Sequence, residues 1–564
     1  MSNMPSKLSN SRNIVELYSS SEDLDLDLES EQCGKRKKQI NLNAAGPANS
    51  SGFGGFEDLY FDAGSPQVQS CQVQSCQDEI VEVGMVKFED SELGESEKQK
   101  AEKFNLDSLG LLKNYGYRFR HLKGEKIEVA GCGVERDKGS ERRVSTDAII
   151  RQAGESFINS SVKRCNGFSD ASHTNKLVGL SDKEAKDVEL VGNLLAAAEK
   201  VGQKKLRRAR KLLRKCSEWA CDDGNPVQRL VYYFAAALCE KIDQHIGREM
   251  SKSLEKKVEL LDFEEVVMSQ KSANIAFLKE VPFAQVSQFT GVQAIIEHVA
   301  EATRVHIIDF FIMNGSNCIV LLQALAARDE HPIEHLRITA VGTKSQERLE
   351  ETGKRLMTFA ESVNLPFSFN LVMVADMLDL NEGLFKLNAE EVVVVQSSYL
   401  FSTLISKSDR LEYVMRVIRD INPSVMVMIE NEGNHNSSVF VKRFVEALFY
   451  YGAFFDCIED CMERSNPDRL LVELIHFSPA IQNIVVADGE DRITRQVDMS
   501  VWREFFKRFM MVELELSKSS LYHARLIVNK FACGSSCTLD RDGKCLIIGW
   551  KGTPIHSLSA WKFE

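Results

Sequence analysis

Apolar residues are scattered over the first third of the chain and become periodic from about Asp187 onward. Leu190, Leu194 and Leu195 lead into Ala196-Ala-Ala198 at helical spacing, and after the break Asp222-Asp-Gly-Asn-Pro226 a second helix resumes over Gln228 to Ile242. A turn at Pro282 precedes a further helix carrying Val292, Ile295, Ile296 and Val299. Beyond Thr303 the period changes. Arg304-Val-His-Ile-Ile-Asp-Phe310 is a short apolar run followed by the turn Met313-Asn-Gly-Ser316, which predicts a strand buried on both faces at the centre of a parallel sheet. Runs of the same kind follow at Leu336–Val341, Phe369–Val374, Val392–Gln396 and Val425–Glu430. Helical stretches at Cys318–Ala327, through Leu356 and Phe359, and at Leu411–Asp420 lie between them, so β-α-β crossovers are expected. Cys545–Trp550, turning through Lys551-Gly-Thr-Pro554 into Ile555–Trp561, predicts an antiparallel hairpin at the end.

Five parallel strands closed by a hairpin is the layout of an α/β, Rossmann-like (methyltransferase-like) doubly wound sheet, here with a helical cap contributed by the preceding helices. The expected division is a mostly disordered regulatory arm over 1–180 and a folded unit over 181–564. The arm is Ser-rich at its start, repeats Gln67-Val-Gln-Ser-Cys71 as Gln72-Val-Gln-Ser-Cys76, and has nine acids against four bases between Asp78 and Lys103. Such a composition buries too little apolar surface to offset chain entropy.

Three short pieces of the arm stand out. In Asp23-Leu-Asp-Leu-Asp-Leu-Glu29 an extended backbone puts Leu24, Leu26 and Leu28 on one face, suited to a partner's groove or sheet edge. Lys35, Arg36, Lys37 and Lys38 form a run of cations of the kind read by nuclear import receptors. Phe104–Phe119 is a hydrophobic island with the spacing of a short helix, able to fold on a partner or on its own globular domain.

The net charge of −12 argues against coating nucleic acid through bulk charge. One local exception is the stretch Lys204–Lys215, where Lys204, Lys205, Arg207, Arg208, Arg210, Lys211, Arg214 and Lys215 surround the apolar face of Leu206, Ala209 and Leu213. A solvated helix face accounts for it, and a nucleic-acid contact is the sharper alternative. Fourteen cysteines show no framework spacing, as expected of reduced thiols. Cys533, Cys537 and Cys545 with His523 do not match common zinc modules, and Cys457 with Cys461 supplies half a site at most, so no metal is expected. No apolar run reaches the length of a membrane span.

The alternative that this layout allows is an S-adenosylmethionine-dependent methyltransferase. That cofactor needs a glycine-rich turn after the first strand and an acid at the end of the second. Here the turn after Asp309 has one glycine, Gly315, and the second strand ends Gly342-Thr-Lys-Ser345. Asp309, Glu430 and His435 are the set that strand ends would bring together for acid–base work. No catalytic residue, cofactor or enzymatic activity is assigned on these grounds.

Val305, His306, Ile307, Ile308 and Asp309, with Gln323-Ala-Leu-Ala326 and Leu336-Arg-Ile-Thr339, resemble the signature block of the GRAS family of plant transcriptional regulators. Leucine-rich helices flank it, at 190–242 and around Leu349–Leu356. Pro423, Glu430, Asn434-His-Asn436, Arg443-Phe444 and Tyr450-Tyr451 resemble the family's Pro-Phe-Tyr region, with Arg469 and Glu473 as its Arg-Glu end. Trp502-Arg503, Gly549-Trp550 and the terminal Ser559, Ala560 and Trp561 resemble its closing block. The resemblance covers about 185–564. It departs after the signature, where the family's usual Trp-Pro pair is missing, and it lacks the Asp-Glu-Leu-Leu-Ala sequence of DELLA members, although the DELLA-like branches are the nearest in character. What it implies is a nuclear transcriptional regulator or co-regulator, with gibberellin signalling a property of that branch. The partners it implies are zinc-finger and other DNA-binding factors and other GRAS chains in homo- or heterodimers; separately, the alternation of Leu24, Leu26 and Leu28 resembles the repression motif of plant transcriptional repressors, which implies a TOPLESS-type corepressor. DNA would be contacted through those partners or directly.

Overall fold

The computed structural model describes residues 144–165, 180–246, 263–312 and 314–564. The leucine motif, the basic tetrad 35–38 and the 104–119 island lie outside these residues.

Among the described residues, helices α1 (Thr146–Cys165), α2 (Asp182–Gly202), α3 (Leu206–Ser217), α4 (Pro226–Ile246), α5 (Phe263–Glu280) and α6 (Pro282–His298) precede the first strand. Their boundaries have local causes. Ser181 and Glu184 form a reciprocal capping box at the start of α2, each side chain bonding the other's backbone N–H. Pro226 opens α4 and Pro282 stands in the first turn of α6, where the missing N–H costs no hydrogen bond. The helix α1 was not anticipated, because residues 1–180 were assigned to the arm. Its Ile149, Ile150 and Ala153 are buried in the core, which is enough apolar surface to dock it.

The α/β part runs β1 (Arg304–Asp309), α7 (Ser316–Ala326), β2 (His335–Gly342), α8 (Gln346–Ser362), β3 (Phe367–Met373), β4 (Val392–Ser398), α9 (Phe401–Leu404), α10 (Ser408–Ile421) and β5 (Val425–Asn431). Then follow α11 (Phe440–Cys461), α12 (Pro467–Val472), α13 (Ser478–Val485), α14 (Met499–Lys507), β6 (Met511–Leu514), α15 (Lys518–Asn529), β7 (Cys537–Asp542), β8 (Cys545–Trp550) and β9 (Thr553–Phe563). The strand order is β3-β2-β1-β4-β5-β9-β8-β7, with β6 also paired to β9. Strands β1 to β5 are mutually parallel, and β9 turns the sheet antiparallel at β5. The α/β doubly wound fold with a helical cap is therefore as the apolar runs predict, and the terminal hairpin is β8–β9.

Alternation along each strand feeds two cores. Val305, Ile307, Ile338, Val394 and Val427 face the core shared with the cap, whereas Ile308, Val341, Val395, Met426 and Met428 face a second core under α10 and α14. Helix α6 lies between β5, β9 and α15, and its face toward the sheet includes Gly291. A Cβ there would sit 3.4 Å from the Ile429 Cδ1 methyl, so the backbone comes close to the strand.

Candidate functional site

In an open α/β sheet the edge at the strands' carboxyl ends is where ligands bind, so the signature strand and its neighbours are the natural place to look. Asp309 ends β1 and is fully buried. Its Oδ1 accepts from the Phe311 N–H at 2.8 Å, closing a tight turn, while Oδ2 has no partner among the described residues. Burial pushes its carboxyl up to about 7, only partly offset by the Phe311 bond. On β5, Glu430 is likewise buried and pushed up to about 7 by desolvation. Its Oε1 accepts from the backbone N–H groups of Phe401 and Ser402 at 2.9 and 3.3 Å, the opening residues of α9. Two residues on, Glu432 accepts from the Met499 N–H at 3.1 Å, at the start of α14, and burial lifts it to about 8. Each of these two β5-end acids thus fastens the amino end of a helix, where orphan N–H groups need an acceptor.

The proposed acid–base set does not assemble. Asp309 is level with Gln396 on β4, whereas Glu430 lies beyond the Ser398–Ile429 pair on β5. Two strand spacings, about 10 Å, separate their chains before the offset along the strands is added. His435 packs edge-on against Tyr450, with ring centroids 4.8 Å apart, and the guanidinium of Arg492 holds its carbonyl at 3.1 Å. The turn expected to approach a cofactor is also taken up by protein packing. Gly315 has φ of 72°, and a Cβ on it would sit 2.9 Å from Thr352 Cγ2 on α8. One on Gly342 would sit 2.4 Å from Leu349 Cδ1. Gly315 lets the turn before α7 pack on α8 and Gly342 lets the end of β2 do the same, and the residues present do not fit S-adenosylmethionine.

His306 has a structural partner set. Its Nε2 lies 2.8 Å from Thr339 Oγ1, and Arg337 donates from Nη2 to its Nδ1 at 3.1 Å. Arg337 also ion-pairs with Glu391 and donates to the Phe385 and Lys386 carbonyls at 3.3 and 3.0 Å. Burial, helped by the Arg337 charge, drives the His306 imidazole down to about 3, so it stays neutral and can accept from Arg337. The signature histidine thereby ties β1 to β2 and to the loop before β4.

The Pro-Phe-Tyr residues join α11 to α13 and to the sheet. Arg443 donates to the Ile484 carbonyl at 2.8 Å and pairs with Asp488 at 2.7 Å. The Tyr450 hydroxyl reaches Asn431 and the Ile555 carbonyl, both at 3.2 Å. Arg469 and Glu473 form a buried pair at 3.0 Å, and a residue that sequence reading missed completes it. Arg229 of α4 meets Glu473 at 2.9 Å and Glu459 at 2.7 Å, with no exposure of its own. A lone arginine immediately before the apolar stretch Leu230-Val-Tyr-Tyr-Phe234 was the available signal. In the closing block, Trp561 Nε1 donates to Ser559 Oγ at 2.8 Å, and the indole packs on Phe506. Ala560 is buried between β5 and β6.

The basic stretch is the helix α3, preceded by Lys204 and Lys205. Ala209, Leu213 and Cys216 are its buried face. Arg210 is partly buried and pairs with Asp243. Lys204, Lys205, Arg207, Arg208, Lys211, Arg214 and Lys215 are exposed, with no ion pair among the described residues. The cysteines noted in the sequence are free thiols: Cys461 Sγ lies 3.0 Å from Cys533 and 3.7 Å from Cys457. Among the described residues no group of three His, Cys, Asp or Glu side chains is placed to hold one metal ion.

The GRAS domain family matches residues 190–562. DELLA protein GAI1 of Vitis vinifera is 27% identical over 394 residues, covering 68% of this chain and 63% of that protein. DELLA protein 1 of Medicago truncatula is 29% identical over 400 residues, covering 68% and 65%. The chain thus spans slightly under two thirds of the length of both relatives. The crystal structure of SCL7 from Oryza sativa superposes with a TM-score of 0.57 at 26% identity, covering 66% of this chain and 99% of that one. With the signature strand, the Pro-Phe-Tyr residues and the closing tryptophan all placed in one α/β unit, the chain belongs to the GRAS domain family of plant transcriptional regulators.

Proposed function

We propose that this chain is a nuclear transcriptional co-regulator that works by holding other proteins together rather than by chemistry. The observation that carries this reading is how the acids at the sheet edge are used. Asp309 and Glu430 are shut away from solvent and bonded to backbone N–H groups, while a general acid or base must reach its substrate. The folded unit then supplies docking surfaces for zinc-finger and other DNA-binding factors or for other GRAS chains. The arm supplies Leu24, Leu26 and Leu28 for a TOPLESS-type corepressor, and Lys35–Lys38 for nuclear import. A reporter assay with the full chain tethered to a promoter tests it. Repression is expected, and replacing the three leucines with alanine should relieve it by at least about half, as for a motif whose alternate side chains fill pockets. No change in transcription on tethering sinks the regulator reading, and calorimetric binding of S-adenosylmethionine at micromolar affinity revives the methyltransferase. Direct DNA contact is the second reading, favoured by the seven exposed cations on and before α3.

A further inference from the structure

Between the cap and the α/β core lies a cavity of about 550 Å³, within the range of small-molecule sites. Its wall is assembled from separate parts of the chain: the last turns of α4, His435 beyond β5, Tyr451 on α11, and the stretch from Pro479 to Gln496. Two of the wall's polar side chains are buried without a completed hydrogen bond. His435 is 1% exposed and, among the described residues, neither ring nitrogen meets a partner at full hydrogen-bond geometry; Gln496 is 7% exposed and its Oε1 meets none either. Gln496 and the Glu446 backbone carbonyl both approach the imidazole closely enough to favour its protonated form, but desolvation dominates and holds it down to about 4. The neutral ring therefore offers one donor and one acceptor. Buried polar atoms left this way cost more than they return unless something completes them.

The rest of the wall says what that something is. Tyr451 gives an aromatic ring, and Ala480, Ile484, Val486 and Ile493 give apolar surface. Asp491 brings negative charge, Asp488 is already paired with Lys241 and Arg443, and among the described residues no lysine or arginine lines the cavity. An anion would be repelled.

We propose that this cavity is a binding site for an uncharged planar ligand, a nucleobase or aryl amide or a larger molecule carrying such a ring, whose polar edge pairs with His435 and Gln496. The site is independent of the co-regulator reading, since it stands on the cavity alone. Ligand-observed NMR on the full chain tests it with adenine and nicotinamide as neutral probes and benzoate as the anionic one. Adenine or nicotinamide should bind saturably below about 5 mM, the range of fragments this small, with benzoate at least about tenfold weaker. Ala480→Phe, which fills the cavity from α13, should abolish the signal, and Gln496→Leu should weaken it about tenfold while the melting temperature holds. Absence of saturable binding by both neutral probes overturns the proposal. So does benzoate binding as well as they do, or binding that Gln496→Leu leaves unchanged.

Discussion

Asp309 carries opposite meanings in a sequence and in a fold. At the end of a strand it reads as a reactive acid, yet burial has made it a group that prefers to be neutral. With its folded value near 7 against an ordinary 3.8, the folded chain keeps a proton that the unfolded chain has released. Stability from this group is therefore present at low pH and lost as pH rises from about 4 to about 7, at about 1.4 kcal/mol per unit at most. His306 and His435 work the other way. Held near 3 and 4, they stay neutral while the unfolded chain protonates, so their share is present above about 6.5 and lost as pH falls. Asp309→Asn separates the two trends, because an amide is neutral at every pH and still accepts the Phe311 N–H. Relative to the parent, the variant should gain on the order of 2 kcal/mol between pH 5 and pH 8. Thermal melts at pH 5, 6.5 and 8 decide it, and parallel pH profiles would show that Asp309 does not titrate across that window.

At the scale of elements, the five parallel strands and the final hairpin were legible because each is a short apolar run whose residues fill both cores. β6 was not, since four residues added to the end of β9 carry no periodic signal. The cavity was not either: Glu240, His435, Tyr451 and Gln496 are ordinary residues until the chain folds them onto one wall. The helix α1 was hidden by its setting in polar sequence, and its docking explains why it belongs to the fold. The Thr146 N–H and hydroxyl both donate to the Asp456 carboxylate, at 3.1 and 2.7 Å, so the first turn is fixed to α11. Gly452 makes room for Ile150, whose Cδ1 would lie 2.9 Å from any Cβ placed there. A chain beginning at residue 181 should consequently expose apolar surface on α11 and lose about 3–6 kcal/mol relative to one beginning at 144, the cost of losing the burial of two isoleucines. Urea denaturation of the two chains measures this. Equal midpoints would mean that α1 rests on the domain without stabilising it.

The whole molecule carries a net charge of −12, and against that background α3 is a concentrated patch of the opposite sign. Cations on one helix face and an acidic body predict different things for DNA. The patch attracts any phosphate backbone within a Debye length, whereas the body repels the rest of the duplex. Binding through α3 alone is then electrostatic and blind to sequence, because contacts to phosphate fix position and carry no base information. If all seven exposed cations engaged phosphates, affinity would fall by about 10³ to 10⁴ between 50 and 200 mM salt. The purified full chain should therefore retain a mixed-sequence duplex at 50 mM salt and release it at 200 mM, with any unlabelled duplex competing equally. Reversing Arg207, Arg208, Lys211 and Lys215 to glutamate should remove the retention at low salt. In cells the same variant should keep its chromatin association if DNA-binding partners bring it there. Selective retention of particular duplexes at 200 mM salt would instead make this chain a reader of DNA in its own right.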